Sequence, residues 1–175
     1  RRQMTRLFRK AEAVPKSQLI LRDRFDQLLS LGAVLLLVAL TVAVLKGRGD
    51  WPQIPASVWF HLVTIATALV LTPIMLLRQR GDKWHKQIGY IWLVAMFVTA
   101  AISLDIRLIN RGSFSIIHVL SVWTIIQCTL ILWSARQRNT ARHRSAVRGM
   151  VLGALLIAGF FTFPFNRLLG QWLFS

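Results

Sequence analysis

Five long apolar runs divide this chain, and each is close to the length that a helix needs to cross a bilayer. A helix needs about 20 predominantly apolar residues to span the hydrocarbon core, which is ~30 Å thick. The runs are Leu28–Leu45, Val58–Leu77, His85–Leu104, Phe114–Trp133 and Val147–Leu169. We therefore expect an all-α, polytopic membrane protein with five transmembrane helices.

Composition supports this expectation. Hydrophobic residues make up 55% of the 175 positions and charged residues only 16%, a balance too apolar for a soluble domain. Lysine and arginine outnumber aspartate and glutamate by 22 to 6, but the apolar runs argue against nucleic acid as the partner and favour the lipid bilayer. The single cysteine, Cys128, lies inside an apolar run, so we expect it to pack rather than to react.

Short connectors set the expected packing. The segments 47–57 and 78–83 are too short for anything but antiparallel neighbours, and we expect the second to fifth helices to form an antiparallel bundle. The chain is thus predicted as a basic cytoplasmic segment, 1–26, followed by one transmembrane domain, 27–175. Pro164 interrupts the last run, so a kink is expected there, with residues 165–175 bending into the membrane interface.

Four polar residues precede apolar runs at positions where a side-chain oxygen could accept hydrogen bonds from the first backbone N–H groups of a helix. The predicted N-caps are Ser57, Asp82, Ser113 and Thr140.

The distribution of basic residues predicts the orientation. Seventeen Lys and Arg residues lie before the first run and in the second and fourth connectors, against five on the other side. Because basic residues resist translocation, the N-terminus is predicted to be cytoplasmic and the C-terminus periplasmic in a bacterial inner membrane.

Each of the second to fifth predicted helices has one histidine near its start. These are His61, His85, His118 and His143. Since successive helices alternate in direction, His61 and His118 share the outer level, and His85 and His143 share the inner level. If the bundle closes in chain order, each level has two imidazoles facing each other across its axis.

Two facing imidazoles are suited to axial ligation of a haem iron. We expect two b-type haems, with Gly89 leaving room one turn after His85. The haem propionates would need basic partners, predicted as Arg78, Arg80, Lys86 or Arg148 inside and Arg107 or Arg111 outside. Zinc is disfavoured, because two histidines leave its ligand set incomplete. The competing interpretation is that each histidine is only an interfacial polar residue.

Residues 57–170 resemble an uncharacterised family of bacterial membrane proteins known only as a domain of unknown function. The resemblance lies in His61, in Trp-His-Lys-Gln-Ile-Gly-Tyr at 84–90, in Gly-Ser-Phe-Ser-Ile-Ile-His at 112–118 and in Arg-His-Arg-Ser-Ala-Val-Arg-Gly-Met at 142–150. The order of the histidines is also similar to that of the cytochrome b561 family. That resemblance implies two haems, one held by His61 and His118 and the other by His85 and His143. The sixth helix of that family is missing here, and no ascorbate-binding pattern is recognised.

These features favour a di-haem b-type electron-transfer protein, a transmembrane oxidoreductase that accepts electrons from a quinol or another donor. The alternative is a cofactor-free accessory subunit that stabilises a larger membrane complex. A transporter is less favoured, because Asp105, the acidic residue nearest a run interior, is followed by Arg107 and suits an interfacial charge pair better than a relay.

Overall fold

The structure, a computed structural model, describes residues 23–105, 116–164 and 167–174. Within these ranges the regular secondary structure is helical, without strands. The helices are α1 (Arg24–Lys46), α2 (Ala56–Leu77), α3 (Lys83–Asp105), α4 (Ile116–Arg136), α5 (Thr140–Met150), α6 (Ala158–Phe160) and α7 (Leu168–Phe174). A 3₁₀-helical turn, Gly47–Gln53, follows α1, and a π-helical segment, Val151–Ile157, joins α5 to α6.

Four helical stretches in the described ranges are long and apolar enough to cross a membrane: Arg24–Gln53, Ala56–Leu77, Lys83–Leu104 and His118–Arg136. They correspond to the first four predicted runs. Large apolar side chains such as Leu28, Leu35 and Val119 are more than 60% exposed on their outer surfaces. Exposed apolar surface of this extent is expected where lipid, rather than water, covers the protein.

The fifth predicted run, Val147–Leu169, is divided in the structure. Its helix begins earlier, at Thr140, continues through the π-helical segment and ends at Phe160. The chain then turns and enters α7 at Leu168. The break therefore begins before Pro164, which cannot itself donate a backbone hydrogen bond to continue a helix.

Of the predicted N-caps, Asp82 is confirmed, because its Oδ1 accepts a hydrogen bond from the backbone N–H of His85 at 2.6 Å. Ser57 and Thr140 are wrong. Pro55 precedes α2, and Asn139 caps α5 by accepting a hydrogen bond from the backbone N–H of Arg142. Both helices begin slightly earlier than the apolar pattern indicates, since a first turn can be polar. Ser113 lies outside the described residues.

Consecutive helices pack as neighbours from α1 to α5, and α1 also contacts the π-helical segment and α7. The side chains buried most completely between them include Trp92, Met96, Met150 and Leu155. The indole N–H of Trp92 donates a hydrogen bond to Thr72 Oγ1 at 3.0 Å, which satisfies its polar atom in the core.

Two carboxylates and three guanidinium groups fasten the start of α1. We call Asp23, Asp26, Arg80, Arg144 and Arg148 the Asp26 cluster. The Asp26 side chain is only 3% exposed and pairs with all three arginines. The hydrogen bond from Arg148, followed by that from the backbone N–H of Phe25, holds the pKa of the Asp23 carboxyl below its usual value of 3.8. This cluster marks one end of the molecule, called the Asp26 end.

The opposite end, called the His61 end, joins α1 to α7. Lys46 Nζ donates a hydrogen bond to the carbonyl oxygen of Leu173 at 2.8 Å. Trp172 Nε1 donates to Asp50 Oδ2, also at 2.8 Å, and the indole covers Gly47. Polar contacts therefore link α1 to α5 at the Asp26 end and to α7 at the His61 end.

Candidate cofactor site

A cavity of about 550 Å³ lies between α2, α3, α4 and the helix that runs from Thr140 to Phe160. This volume is within the range of small-molecule and cofactor sites, about 300–1,000 Å³. Most of the lining is apolar, including Ile65, Met96 and Leu120. Its polar side chains are His61, Thr99, Ser103, Ser121, Thr124, Thr162 and Arg167. The cavity thus combines an apolar interior with a few convergent polar groups.

Small residues form one wall of this cavity. They are Gly153, Ala154, Ala158 and Gly159, all on or directly after the π-helical segment. A π-helical turn widens the helix by one residue per turn, and such turns occur often at functional sites. A side chain at Gly153 would press on Trp123, with the added Cβ only 3.2 Å from the ring. Glycine at positions 153 and 159 therefore lets Trp123 and Leu36 pack closely against this segment.

The imidazole of His61 has a fixed orientation. Its Nδ1 lies 3.1 Å from Ser103 Oγ, and the Ser103 hydroxyl lies 2.8 Å from the carbonyl oxygen of Thr99, to which it donates. With that hydroxyl hydrogen directed to Thr99, we assign the ring hydrogen of His61 to Nδ1, which donates to Ser103 Oγ. The lone pair of a neutral His61 is then on Nε2, the atom available to a ligand.

A second hydroxyl pair lies directly behind this contact. Thr99 Oγ1 donates to Thr64 Oγ1 at 2.7 Å, which links α3 to α2 one turn from His61. Thr64 in turn donates to the backbone carbonyl of His61 or Phe60, both at 3.0 Å. These bonds hold the backbone that carries His61, and so they help to fix its ring.

His118, the predicted partner of His61, lies on α4 and is 5% exposed. It precedes Ser121, a cavity-lining residue, by one helical turn on the same face. Its own side chain is not among those that line the cavity, whereas that of His61 is. The structure therefore brings the helices of this pair together around one cavity.

At the Asp26 end lie His85, in the first turn of α3, and His143, in the first turn of α5. His143 Nδ1 lies 3.1 Å from the carbonyl oxygen of Ile131, an atom that can only accept, so Nδ1 carries the hydrogen and Nε2 has the lone pair. His85 Nδ1 is buried and has no hydrogen-bond partner in the described part of the chain. An unpaired buried nitrogen is costly and is expected where a ligand completes the site.

The remaining predicted site residues have varied surroundings. A Cβ added to Gly89 would meet no atom within 4 Å, so there is open space beside it. Arg78 pairs with Asp82, whose pKa is held below 3.8 chiefly by that bond and then by the His85 backbone N–H. Arg148 belongs to the Asp26 cluster. Arg107 and Arg111 lie outside the described residues.

Sequence reasoning missed Ser103 and Arg167 as site residues. Ser103 follows His85 by 18 positions, five turns along the same helix, and this periodicity places both on one face. Arg167 follows Pro164, in a segment that we predicted to lie in the interface rather than beside a cavity. A periodicity count on α3 could have found the first residue, whereas the second depends on how the chain turns after Phe160.

Comparison of this chain with protein-family models, with curated proteins and with solved structures gives no match. In the described residues, no group of three or more His, Cys, Asp or Glu side chains is placed to hold a metal ion. This leaves pairs of histidines as the ligand sets to consider.

Proposed function

We propose that this protein carries single electrons across a bilayer on two b-type haems, one held by His61 and His118 and the other by His85 and His143. The observation that carries the proposal is the orientation of His61, whose Nδ1 is hydrogen bonded to Ser103 Oγ while the residue lines an apolar cavity. Metal-ligating histidines are usually oriented in this way, by a hydrogen bond from the nitrogen that does not bind the metal. His143 has the equivalent bond to the Ile131 carbonyl.

The cavity at the His61 level suits a flat apolar macrocycle with acidic edge groups. The cavity is lined mostly by apolar side chains, and Ile65, Met96 and Leu120 would exclude water from the faces of the ring. Arg167 would pair with a propionate there, in addition to the role predicted for Arg107 and Arg111. At the other level, the open space beside Gly89 would accommodate part of a ring.

The two levels are well separated along the membrane normal. His61 precedes the end of α2 at Leu77 by 16 positions, and His85 is the third residue of α3, which runs back in the opposite direction. At 1.5 Å per residue, the levels are therefore about 20 Å apart. Trp92 and Met96 fill the core between them. When bound, haem supplies the one-electron redox chemistry, and the protein supplies ligation, spacing and a dry interior.

We further propose that the stretch from Thr140 to Phe160 is a fifth membrane crossing and that α2 to α5 form an antiparallel four-helix bundle around the haems. At 1.5 Å per residue, this stretch is about 30 Å long, enough for the hydrocarbon core. The Asp26 end would face the cytoplasm of a bacterial inner membrane, since it holds most of the basic residues. A periplasm-specific reporter fused after Ser175 should then be active, and activity of a cytoplasm-specific reporter there would contradict the fifth crossing.

A reduced-minus-oxidised optical spectrum of the purified protein, expressed with adequate haem supply, tests the function. We expect the absorption bands of low-spin b-type haem, because two imidazoles leave no open coordination position. A colourless protein that purifies with a stoichiometric partner would instead support the accessory-subunit function, and the haem proposal would be wrong.

A further inference from the structure

Three arginines lie in and beside the short turn between α4 and α5. Arg136, Arg138 and Arg142 are all exposed, and in the described part of the chain none of them forms an ion pair. We call these three residues together with Trp133 the turn patch. It lies at the Asp26 end, because α5 begins there.

The positions of the carboxylates explain why the positive charge of the turn patch is not neutralised by the described residues. Arg144 and Arg148 are four positions apart on α5, so they share one face and both reach Asp23 and Asp26. Arg142 is two positions from Arg144 and so points to a different side of the helix, toward α4. Among the described residues, Arg142 therefore has no carboxylate partner, and its charge is open to an external anion.

Arg142 is stacked on an exposed indole. Its guanidinium carbon lies 4.7 Å from the ring centre of Trp133, which is 44% exposed at the end of the apolar helix α4. Stacking holds the guanidinium plane in place and leaves its edge free to donate hydrogen bonds. The indole N–H of Trp133 makes no hydrogen bond to the described residues. Tryptophan at such a position usually lies at the level of lipid headgroups.

The turn itself is rigid and strained. Backbone hydrogen bonds from Gln137 to Trp133 and from Asn139 to Ser134, both at 3.0 Å, close it tightly. Arg138 has a φ of 55°, in the left-handed region that favours glycine or asparagine. Arg138 therefore adopts a backbone conformation that is unfavourable for a residue with a Cβ.

We propose that the turn patch binds the headgroup of an anionic phospholipid. The phosphate would accept hydrogen bonds from Arg142 and from the indole N–H of Trp133, with Arg136 and Arg138 adding positive charge beside it. The acyl chains would then lie along the exposed apolar surface of α4, where Val122 and Ile126 are about half exposed. This site does not depend on haem binding.

Native mass spectrometry of the full chain, released from detergent with equal amounts of phosphatidylglycerol and phosphatidylcholine, tests the proposal. The parent protein should retain phosphatidylglycerol in preference to phosphatidylcholine. Arg142→Gln should lower that retention about five-fold, the effect of one basic residue near an anionic headgroup. Trp133→Leu should also lower it. Trp84→Leu is the matched control, because Trp84 is 61% exposed at the same end but on α3, and it should leave retention unchanged.

Arg138→Gly separates binding from folding. It removes one charge and relieves the left-handed strain, so it should raise the unfolding temperature while it lowers phosphatidylglycerol retention. Equal retention of the two lipids by the parent protein, or unchanged retention in Arg142→Gln, would overturn the proposal. So would displacement of the lipid by inorganic phosphate at equal concentration, or by polyglutamate, which would assign the surface to a free anion or to an acidic protein.

Discussion

Arg148 donates a hydrogen bond from its Nε to Oδ1 of Asp26 across 2.7 Å, although the two residues are 122 positions apart in the sequence. This bond joins α5 to the start of α1. Arg80, in the connector between α2 and α3, donates a hydrogen bond to the same carboxylate. One buried side chain therefore links three segments at the Asp26 end.

Asp26→Asn should lower the free energy of unfolding by about 2 kcal/mol. The loss is smaller than for a fully buried ion pair, because the three arginine side chains are 21–50% exposed and water can solvate them in part. The measurement is the unfolding midpoint in detergent with increasing denaturant.

Asp82→Asn is the matched control for this change. It removes the ion pair of Asp82 with Arg78, in which both side chains are about one third exposed, and asparagine can still cap α3. We expect a loss below about 0.5 kcal/mol. Equal losses in the two variants would show that the Asp26 cluster contributes no more than a surface ion pair.

Gly47→Ala should detach α7 from α1. An added Cβ would lie 2.1 Å from the Trp172 ring, so the indole must move and its hydrogen bond to Asp50 is lost. Overpacking of this kind costs about 1–3 kcal/mol. Limited proteolysis should then cleave near Leu168–Phe174 faster than in the parent protein. Gly49→Ala is the control and should have no effect, because a Cβ added at Gly49 would meet no atom within 4 Å. Similar cleavage rates in the two variants would contradict the packing of Trp172 on Gly47.

The apolar runs predicted α1 to α4 to within a few residues, because the length needed to cross a bilayer is a strong constraint on sequence. Hydropathy did not predict where the last run breaks, since the helix ends at Phe160 although residues 161–164 remain largely apolar. The Asp26 cluster was also missed. Its members are far apart in sequence, and Arg80 and Arg148 were interpreted as orientation signals and as partners for propionates, not as partners of Asp26.

The histidine pattern predicted which side chains to examine, and the structure adds how two of them are oriented. Ser103 and the Ile131 carbonyl are ordinary residues of apolar helices, so nothing in their spacing marks them as hydrogen-bond acceptors for imidazoles. Their role depends on the rotation of α3 and α4 about their axes, which a linear sequence does not show.

Ser103→Ala should weaken haem binding at the His61 level by about 10- to 100-fold, the usual cost of losing a residue that orients a metal ligand. Ser103→Thr keeps an acceptor oxygen and should restore most of the affinity. The measurement is the rate of haem transfer to apomyoglobin. Thr129→Ala removes an exposed hydroxyl that bonds only to its own helix, and it should leave the rate unchanged. A loss that is equal for Ser103→Ala and Ser103→Thr would contradict the assigned hydrogen bond.

The haem-to-protein ratio of single histidine variants tests the central claim most directly. The parent protein should hold two haems per chain, and each of His61→Ala, His118→Ala, His85→Ala and His143→Ala should hold one, because an imidazole lost from one level leaves the other pair intact. A double variant at one level, His61→Ala with His118→Ala, should also hold one haem, whereas His61→Ala with His85→Ala should hold none. A parent protein without haem, or a His61→Ala and His85→Ala double variant that retains the full content, would contradict the assignment of the four histidines as ligands.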